Sequence, residues 1–497
     1  MESFVIGLSQ LTDPVNLLFV LFGSMVGLVF GVIPGLSGVT AMILALPFTF
    51  GMNPISAMYL FTGFMGAQAF GGSVTAILIN VPGTACNAAT CFDGYPMAQK
   101  GEAGKALGIS AFASAFGAIF GLVILVALLP VARILVMSLG PPEFFMLIVF
   151  GLICVSLASQ ADIMKGLVGA GIGILISLIG HSSVHGVLRF HFGMRNYLFD
   201  GVYLTSFILG VFLFSIALEH VVKGGSVAAA GITVKPRLRD ALDGAKEVIR
   251  SWANLLRSST VGVLIGIIPG IGGLLANFLS YLIAMRTSKH PETFGTGNPE
   301  GVVASESGND AKDGGALFPT LAFGIPGSVE MAVFMGVLLF LGLDPGPFFI
   351  REHMDVVWAI ILGMVVSNIL ASSIGLLVAG WAARLTTIPT KIIVPFIVAT
   401  GFIGIYSARG EVWDVLAAII YGFFAYGLVR FGFPRITLVM GYILGPLAEK
   451  YFFQSLGITW GDPMVFFTRP ISLALVIVAI GLLLMPIVVN MRLRRAK

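Results

Sequence analysis

The residues best placed to do chemistry in this chain carry no charge. The stretch Gly71 to Thr84 reads Gly-Gly-Ser-Val-Thr-Ala-Ile-Leu-Ile-Asn-Val-Pro-Gly-Thr, and a related unit, Thr-Leu-Ala-Phe-Gly-Ile-Pro-Gly-Ser, runs from Thr320 to Ser328. Proline removes a backbone donor and clashes with the preceding turn, so each unit must break its own helix. The glycine beside it lets another group approach the backbone closely. A helix that restarts after such a break points free N–H groups and the positive end of its dipole at an anion. Hydroxyl and amide donors then hold a carboxylate without a permanently buried charge. The pattern predicts half-helices starting after Pro82-Gly83 and Pro326-Gly327. It assigns substrate binding to Ser73, Thr75, Asn80, Pro82, Gly83 and Thr84 in one unit, and to Gly324, Pro326, Gly327 and Ser328 in the other.

A second pair of breaks points to a cation. Gly31 to Gly38 reads Gly-Val-Ile-Pro-Gly-Leu-Ser-Gly, and Gly266 to Gly273 reads Gly-Ile-Ile-Pro-Gly-Ile-Gly-Gly; five of the eight positions are identical. Unwound carbonyls suit a hard ion such as sodium, which puts Gly35, Ser37, Gly38, Gly270, Gly272 and Gly273 on the list of cation ligands. Glu300, Glu306, Asp310, Lys312 and Asp313 form a polar stretch that reads either as a solvated loop or as an ion-coupling segment. Glu306 and Asn309 join the cation candidates on the second reading. Asp93 and Lys100 read as a structural pair.

Other constellations point nowhere. His181, His185 and His191 lack an HExxH glutamate and sit beside Gly180 and Gly186, so no metal site is expected. The glycines at 169, 171 and 173 lie in an apolar run with no strand before them, and Gly104-Lys105 is followed by Ala106, so neither is a nucleotide loop. No nucleophile–base pair suggests an enzyme. No cofactor is expected beyond a coupling sodium ion.

The elements that carry these residues are membrane helices. Of 497 residues, 57% are hydrophobic and 10% charged, against roughly 25% charged in soluble domains. Apolar runs of spanning length include residues 15–33, 106–129, 165–180, 202–218, 356–380, 413–429 and 471–489, with shorter runs at 144–157 and 392–406. Cys86, Cys91 and Cys154 are too few and too apolar in setting for a disulfide framework. Residues 1–99 contain no Lys or Arg, whereas the linker 223–257 and the carboxyl end are basic. The positive-inside rule therefore puts linker and carboxyl end in the cytoplasm and the amino end outside. The net charge of +4 is too small to suggest nucleic-acid binding. Asp240 to Leu256 reads as one surface helix, with Leu242, Val248, Ile249 and Trp252 among its basic residues.

Landmarks recur in order. Gly31 and Gly266 are 235 positions apart, Pro82 and Pro326 are 244 apart, and Gly151 and Gly401 are 250 apart. This predicts an all-α polytopic membrane protein of about ten to twelve transmembrane helices. Two inverted-topology repeats, 1–222 and 258–497, flank the linker 223–257 and contain re-entrant or broken helices.

The motifs Gly31–Gly38, Gly71–Thr84, Asp93-Gly94-Tyr95-Pro96-Met97-Ala98 with Lys100-Gly101, Gly266–Gly273, Glu306 with Asn309, and Gly324–Ser328 together resemble the large membrane subunit of the tripartite tricarboxylate transporters. The resemblance covers most of the chain. It implies a bacterial inner-membrane carrier for small carboxylates, sodium-driven, surrounded by lipid, and working with a small membrane subunit and a periplasmic substrate-binding protein. Two departures stand out: Phe70 replaces a usual Tyr, and Asp310 is an acid where the usual form has none. The rival reading is a passive anion channel, or a scaffold whose partner carries out the transport.

Overall fold

The computed structural model describes residues 2–33, 36–158, 162–182, 184–223, 238–269, 272–382 and 390–495. Helices dominate, and the one described sheet is a two-residue hairpin pairing Gly180-His181 with Leu188-Arg189. Among the described residues, six helices are long and apolar enough to cross a membrane: Pro14–Val32, Pro54–Ile79, Ala103–Ala132, Leu204–Val222, Met354–Ala382 and Val412–Arg430. Shorter apolar helices include Pro141–Leu157, Ile163–Ser177 and Val329–Phe340. The chain is an all-α polytopic membrane protein.

Fourteen helices carry the argument: α1 (Pro14–Val32), α2 (Gly38–Ala45), α3 (Pro54–Ile79), α4 (Thr90–Gln99), α5 (Ala103–Ser138), α6 (Ser215–Lys223), α7 (Leu238–Arg250), α8 (Trp252–Ile267), α9 (Gly272–Thr287), α10 (Pro299–Phe323), α11 (Val329–Phe340), α12 (Met354–Ala382), α13 (Val412–Arg430) and α14 (Arg435–Ile458).

Two of them, α3 and α10, form the buried centre, and they are built alike. Each starts on an Asn-Pro pair. Asn53 accepts from the Ile55 N–H and Asn298 from the Glu300 N–H, while Pro54 and Pro299 occupy the first turn, where no N–H is missed. Each ends in a left-handed residue, Asn80 at φ 56° and Gly324 at φ 67°, followed two residues later by the proline that forbids continuation.

The packing is reciprocal. Helix α1 lies along α3, and α8 along α10. Helix α5 then packs on α10, while α12 packs on α3. The third long helix of each half thus covers the central helix of the other. The seams are lined by small residues, as close helix approach in lipid requires. A Cβ at Gly27 would lie 2.6 Å from the Phe64 carbonyl oxygen, and one at Gly63 would lie 2.7 Å from Gly23 Cα. Gly262, Gly266 and Gly315 make the equivalent seam between α8 and α10.

Three expectations are corrected here. The stretch 300–313 is no solvated loop. It is the first half of α10, and Glu306, Asp310, Lys312 and Asp313 are buried there. Glu306 finds its partners on α3, α4 and α5, far away in sequence, while Lys312 pairs with its neighbour Asp313. The predicted helix Asp240–Leu256 is two helices, α7 and α8, meeting at Ser251. Ala241 and Val248 bury against the protein, because Gly108 of α5 admits the α7 backbone, while Leu242, Ile249 and Trp252 stay exposed. Asp93 and Lys100 do not pair with each other. Asp93 accepts from the Gly297 and Asn298 N–H groups and from Tyr281 Oη, and Lys100 donates to the Thr296 carbonyl. Together they tie α4 and the turn after it to the loop before α10.

Candidate functional site

Each Pro-Gly break is fixed from within. The Gly83 N–H donates to the Gly72 carbonyl at 3.2 Å, and the Gly327 N–H donates to Thr320 Oγ1 at 3.2 Å. Both glycines are required by close approach: a Cβ at Gly83 would lie 2.6 Å from Gly72 Cα, and one at Gly327 2.5 Å from Ala316 Cα. Beyond this point the halves diverge. Ser328 is the N-cap of α11, and its Oγ accepts from the Met331 N–H at 3.2 Å. The N–H groups of Val329 and Glu330 have no partner within their own helix.

After Pro82-Gly83 the predicted half-helix does not form. Ala85–Asn87 is a single 3-10 turn, and α4 begins only at Thr90. Asn87 is the reason. Its Nδ2 donates to the Ala69 carbonyl at 3.0 Å and to Ser73 Oγ at 2.8 Å, while its Oδ1 accepts from Thr84 Oγ1 at 2.6 Å. These bonds hold the chain against α3 where a helix would have to leave it.

The two breaks meet at one cavity of about 650 Å³. Pro82, Gly83 and Thr84 line one part, and Ser328 with Gly272 and Gly273 line another. Ser37, at the N-cap of α2, is also in the wall. Gly38 is not; its N–H donates to Gln68 Oε1 at 2.8 Å. Gly35 and Gly270 lie outside the described residues. Thr75 is fully buried and donates to the Gly72 carbonyl. Gly324 and Pro326 are buried behind the wall. Asn80 is an exposed helix cap that does not line the cavity.

Ser73 belongs to a second, deeper cluster. At its centre Glu306, fully buried on α10, accepts from Ser73 at 2.6 Å, Ser110 at 2.8 Å and Ser114 at 3.1 Å, all at Oε2. Thr90 donates to its Oε1. Hydroxyls from α3, α4 and α5 thus converge on one carboxyl. Three residues further, Asn309 is 1% exposed and, among the described residues, neither atom of its amide has a hydrogen-bond partner; Asp310 Oδ2 and Ser307 Oγ are likewise buried without one. Through Asn87 and Ser73, Thr84 in the cavity wall is joined to Glu306 by an unbroken run of hydrogen bonds.

Comparison with known proteins decides the class. The sequence profile of the tripartite tricarboxylate transporter TctA family matches residues 17–440. The chain belongs to this family. Similar proteins include two from Agrobacterium vitis. An uncharacterised 52.8 kDa protein in the TAR-I ttuC' 3' region is 33% identical over 506 residues, which cover 99% of this chain and 97% of that protein. An uncharacterised protein in the TAR-II ttuC' 3' region is 37% identical over 228 residues, covering 45% of this chain and 94% of its own length. Membership in the TctA family makes the chain a subunit of a tripartite transporter, which agrees with its apolar helices.

Some site features of this TctA member were beyond sequence reasoning. Asn87 and Gln68 are unremarkable in the sequence, and only the fold turns them onto the breaks. Arg435, which lines the cavity, follows a Phe-Pro pair in an apolar region; a lone arginine there was the available signal. The histidines separate: His181 stacks on Phe199, His185 lies 3.7 Å from Glu449, and His191 accepts from the Gly193 N–H. Gly169 and Gly173 pack on Thr437 and Leu438 of α14.

Proposed function

We propose that this chain is the carrier subunit that imports small di- and tricarboxylates across the bacterial inner membrane, driven by sodium. A periplasmic binding protein delivers the substrate, and a small membrane subunit completes the complex. The single observation that supports this reading best is the convergence of both Pro-Gly breaks on one cavity. The start of α11 supplies free N–H groups and the positive dipole end for a carboxylate. Thr84, Ser37 and Ser328 add neutral donors.

Sodium has a fitting place at the deeper cluster. Partnerless, buried oxygens on Asn309 and Asp310, with Glu306 close by in the same helix, are the hard ligands such an ion takes. Glu306 and Asn309 would hold it, and the Thr84–Asn87–Ser73 run would link its occupancy to the substrate cavity. Gly272 and Gly273 open α9, so their free backbone groups are N–H donors that suit the anion rather than the cation. The reciprocal packing of α5 and α12 agrees with two inverted repeats, 1–222 and 258–497, joined by a cytoplasmic linker, with the amino end outside. Labelling of a cysteine at position 226 by an impermeant reagent from outside intact cells would reverse that orientation.

Proteoliposomes holding the complete complex test the transport reading. Labelled citrate should accumulate above its outside concentration under an inward sodium gradient and leak back when the gradient is collapsed. Uptake that stops at equilibrium and ignores sodium would instead indicate a passive channel.

A further inference from the structure

Among the described residues lining the cavity, two carry charge: Glu330 in the first turn of α11 and Arg435 at the first position of α14. Arg435 is held on one side only. Its Nε donates to Ser215 Oγ at 2.6 Å and its Nη2 to Glu219 Oε2 at 2.7 Å. Both partners sit on α6, directly after the π-helical stretch Leu209–Phe214. That stretch shifts the helical register, as such segments do at functional sites, and its Phe212 also lines the cavity.

A guanidinium has five N–H donors in a rigid fork. Arg435 uses one at Nε and one at Nη2, and Nη1 has no partner among the described residues. The side chain is 18% exposed, and the residue lines the cavity. A largely buried guanidinium with unfilled donors, belonging to a cavity wall, suits a planar carboxylate, which it can bind through two parallel bonds. Glu330, the other charge in the wall, has Lys312 and Asp313 as its near charged groups.

We propose that Arg435 is the residue that binds a substrate carboxylate in this cavity, with Ser215 and Glu219 as positioning residues that aim its fork. Glu219 also competes with the ligand for the same guanidinium. The ligand class is a small carboxylate whose second polar end reaches the break at Ser328. This inference rests on the transport reading above and deepens it: the site carries one fixed cation besides its neutral donors.

The native thiol of Cys86, which lines the same cavity, provides the test. In the full chain with Cys91→Ser and Cys154→Ser, purified into nanodiscs, the rate of N-ethylmaleimide labelling at Cys86 is measured against rising citrate and, separately, succinate. Citrate should protect the thiol. Arg435→Gln should raise the half-protecting concentration by roughly tenfold or more, since hydrogen bonds to a charged group are worth about 1.5–3 kcal/mol. Arg435→Lys, which keeps the charge but not the fork, should fall between. Glu219→Gln should move the midpoint the other way, to lower concentration, whereas a merely structural ion pair would make it behave like Arg435→Gln. The double variant Arg435→Gln/Glu219→Gln removes both charges of this pair, and so reads the same loss if the single variant does not insert. Equal protection of parent and double variant overturns the role of Arg435 while the transport reading stands. Protection of the parent by neither acid overturns both.

Discussion

The two Pro-Gly breaks share a backbone plan and differ in what holds them. Each closes a central helix with a left-handed residue, places proline two residues on, and locks the glycine N–H internally. The second break then resumes as a true helix, α11, whose Ser328 cap and open first turn face the cavity. The first resumes as a single 3-10 turn, because Asn87 is bonded back to α3. In exchange, its hydroxyls reach Glu306 on the other half's central helix. One break presents a helix dipole to the cavity, and the other is bonded through to Glu306. Two similar backbones thus carry unlike chemistry.

The largest expected effect follows from the transmitting side. Glu306→Ala would leave hydroxyls of Ser73, Thr90, Ser110 and Ser114 buried around a void. At about 1–3 kcal/mol for a buried polar group left unsatisfied, the loss should be on the order of 3 kcal/mol, seen as a clearly lower melting temperature in nanodiscs. Glu306→Gln keeps an acceptor and should lose less. If Glu306→Ala melts with the parent, the cluster does not join the halves.

This contrast also explains what could be read from the sequence. The breaks were legible because Pro-Gly forces them by local sterics, and their pairing showed in landmarks that recur in the same order. The buried course of 300–313 was not, since Glu306 reads as solvated until Ser73, Ser110 and Ser114 arrive from some 200 positions away, and Lys312 and Asp313 bury as a pair. Arg435 was missed for the same reason: its place beside Ser215, Glu219 and the breaks is set by tertiary packing alone. The expectation of equal half-helices failed on one side chain, Asn87, whose preference for bonding backbone and hydroxyls competes with helix.

A second prediction sharpens the comparison at the cavity. Treated as equivalent, Thr84→Val and Ser328→Ala should weaken carboxylate binding alike. The structure makes them unequal. Ser328→Ala removes an N-cap, worth roughly 1 kcal/mol, as well as a donor in the wall, and should raise the citrate dissociation constant about tenfold. Thr84→Val keeps its shape and gives up one bond to Asn87, so about threefold is expected. Direct binding to purified protein reads both. An equal or reversed order would mean that the first break, despite its short turn, is the principal anion site.

The smallest effect tests the left-handed caps themselves. Asn80 at φ 56° and Gly324 at φ 67° hold the same place in their halves, but their surroundings differ. A Cβ at Gly324 would lie 2.6 Å from the Pro345 carbonyl oxygen, so Gly324→Ala meets both the left-handed penalty, about 1–2 kcal/mol, and a backbone contact that must shift. Asn80 is exposed and already bears a side chain, and asparagine and glycine are the residues that tolerate this conformation best. Asn80→Gly should therefore change stability by no more than about 0.5 kcal/mol and leave citrate binding unaltered. Gly324→Ala should lower the melting temperature measurably. Were Asn80→Gly to melt like the parent yet bind citrate roughly tenfold more weakly, about 1.4 kcal/mol, the Asn80 amide would have to reach the anion. The first break would then act directly as well as through Glu306.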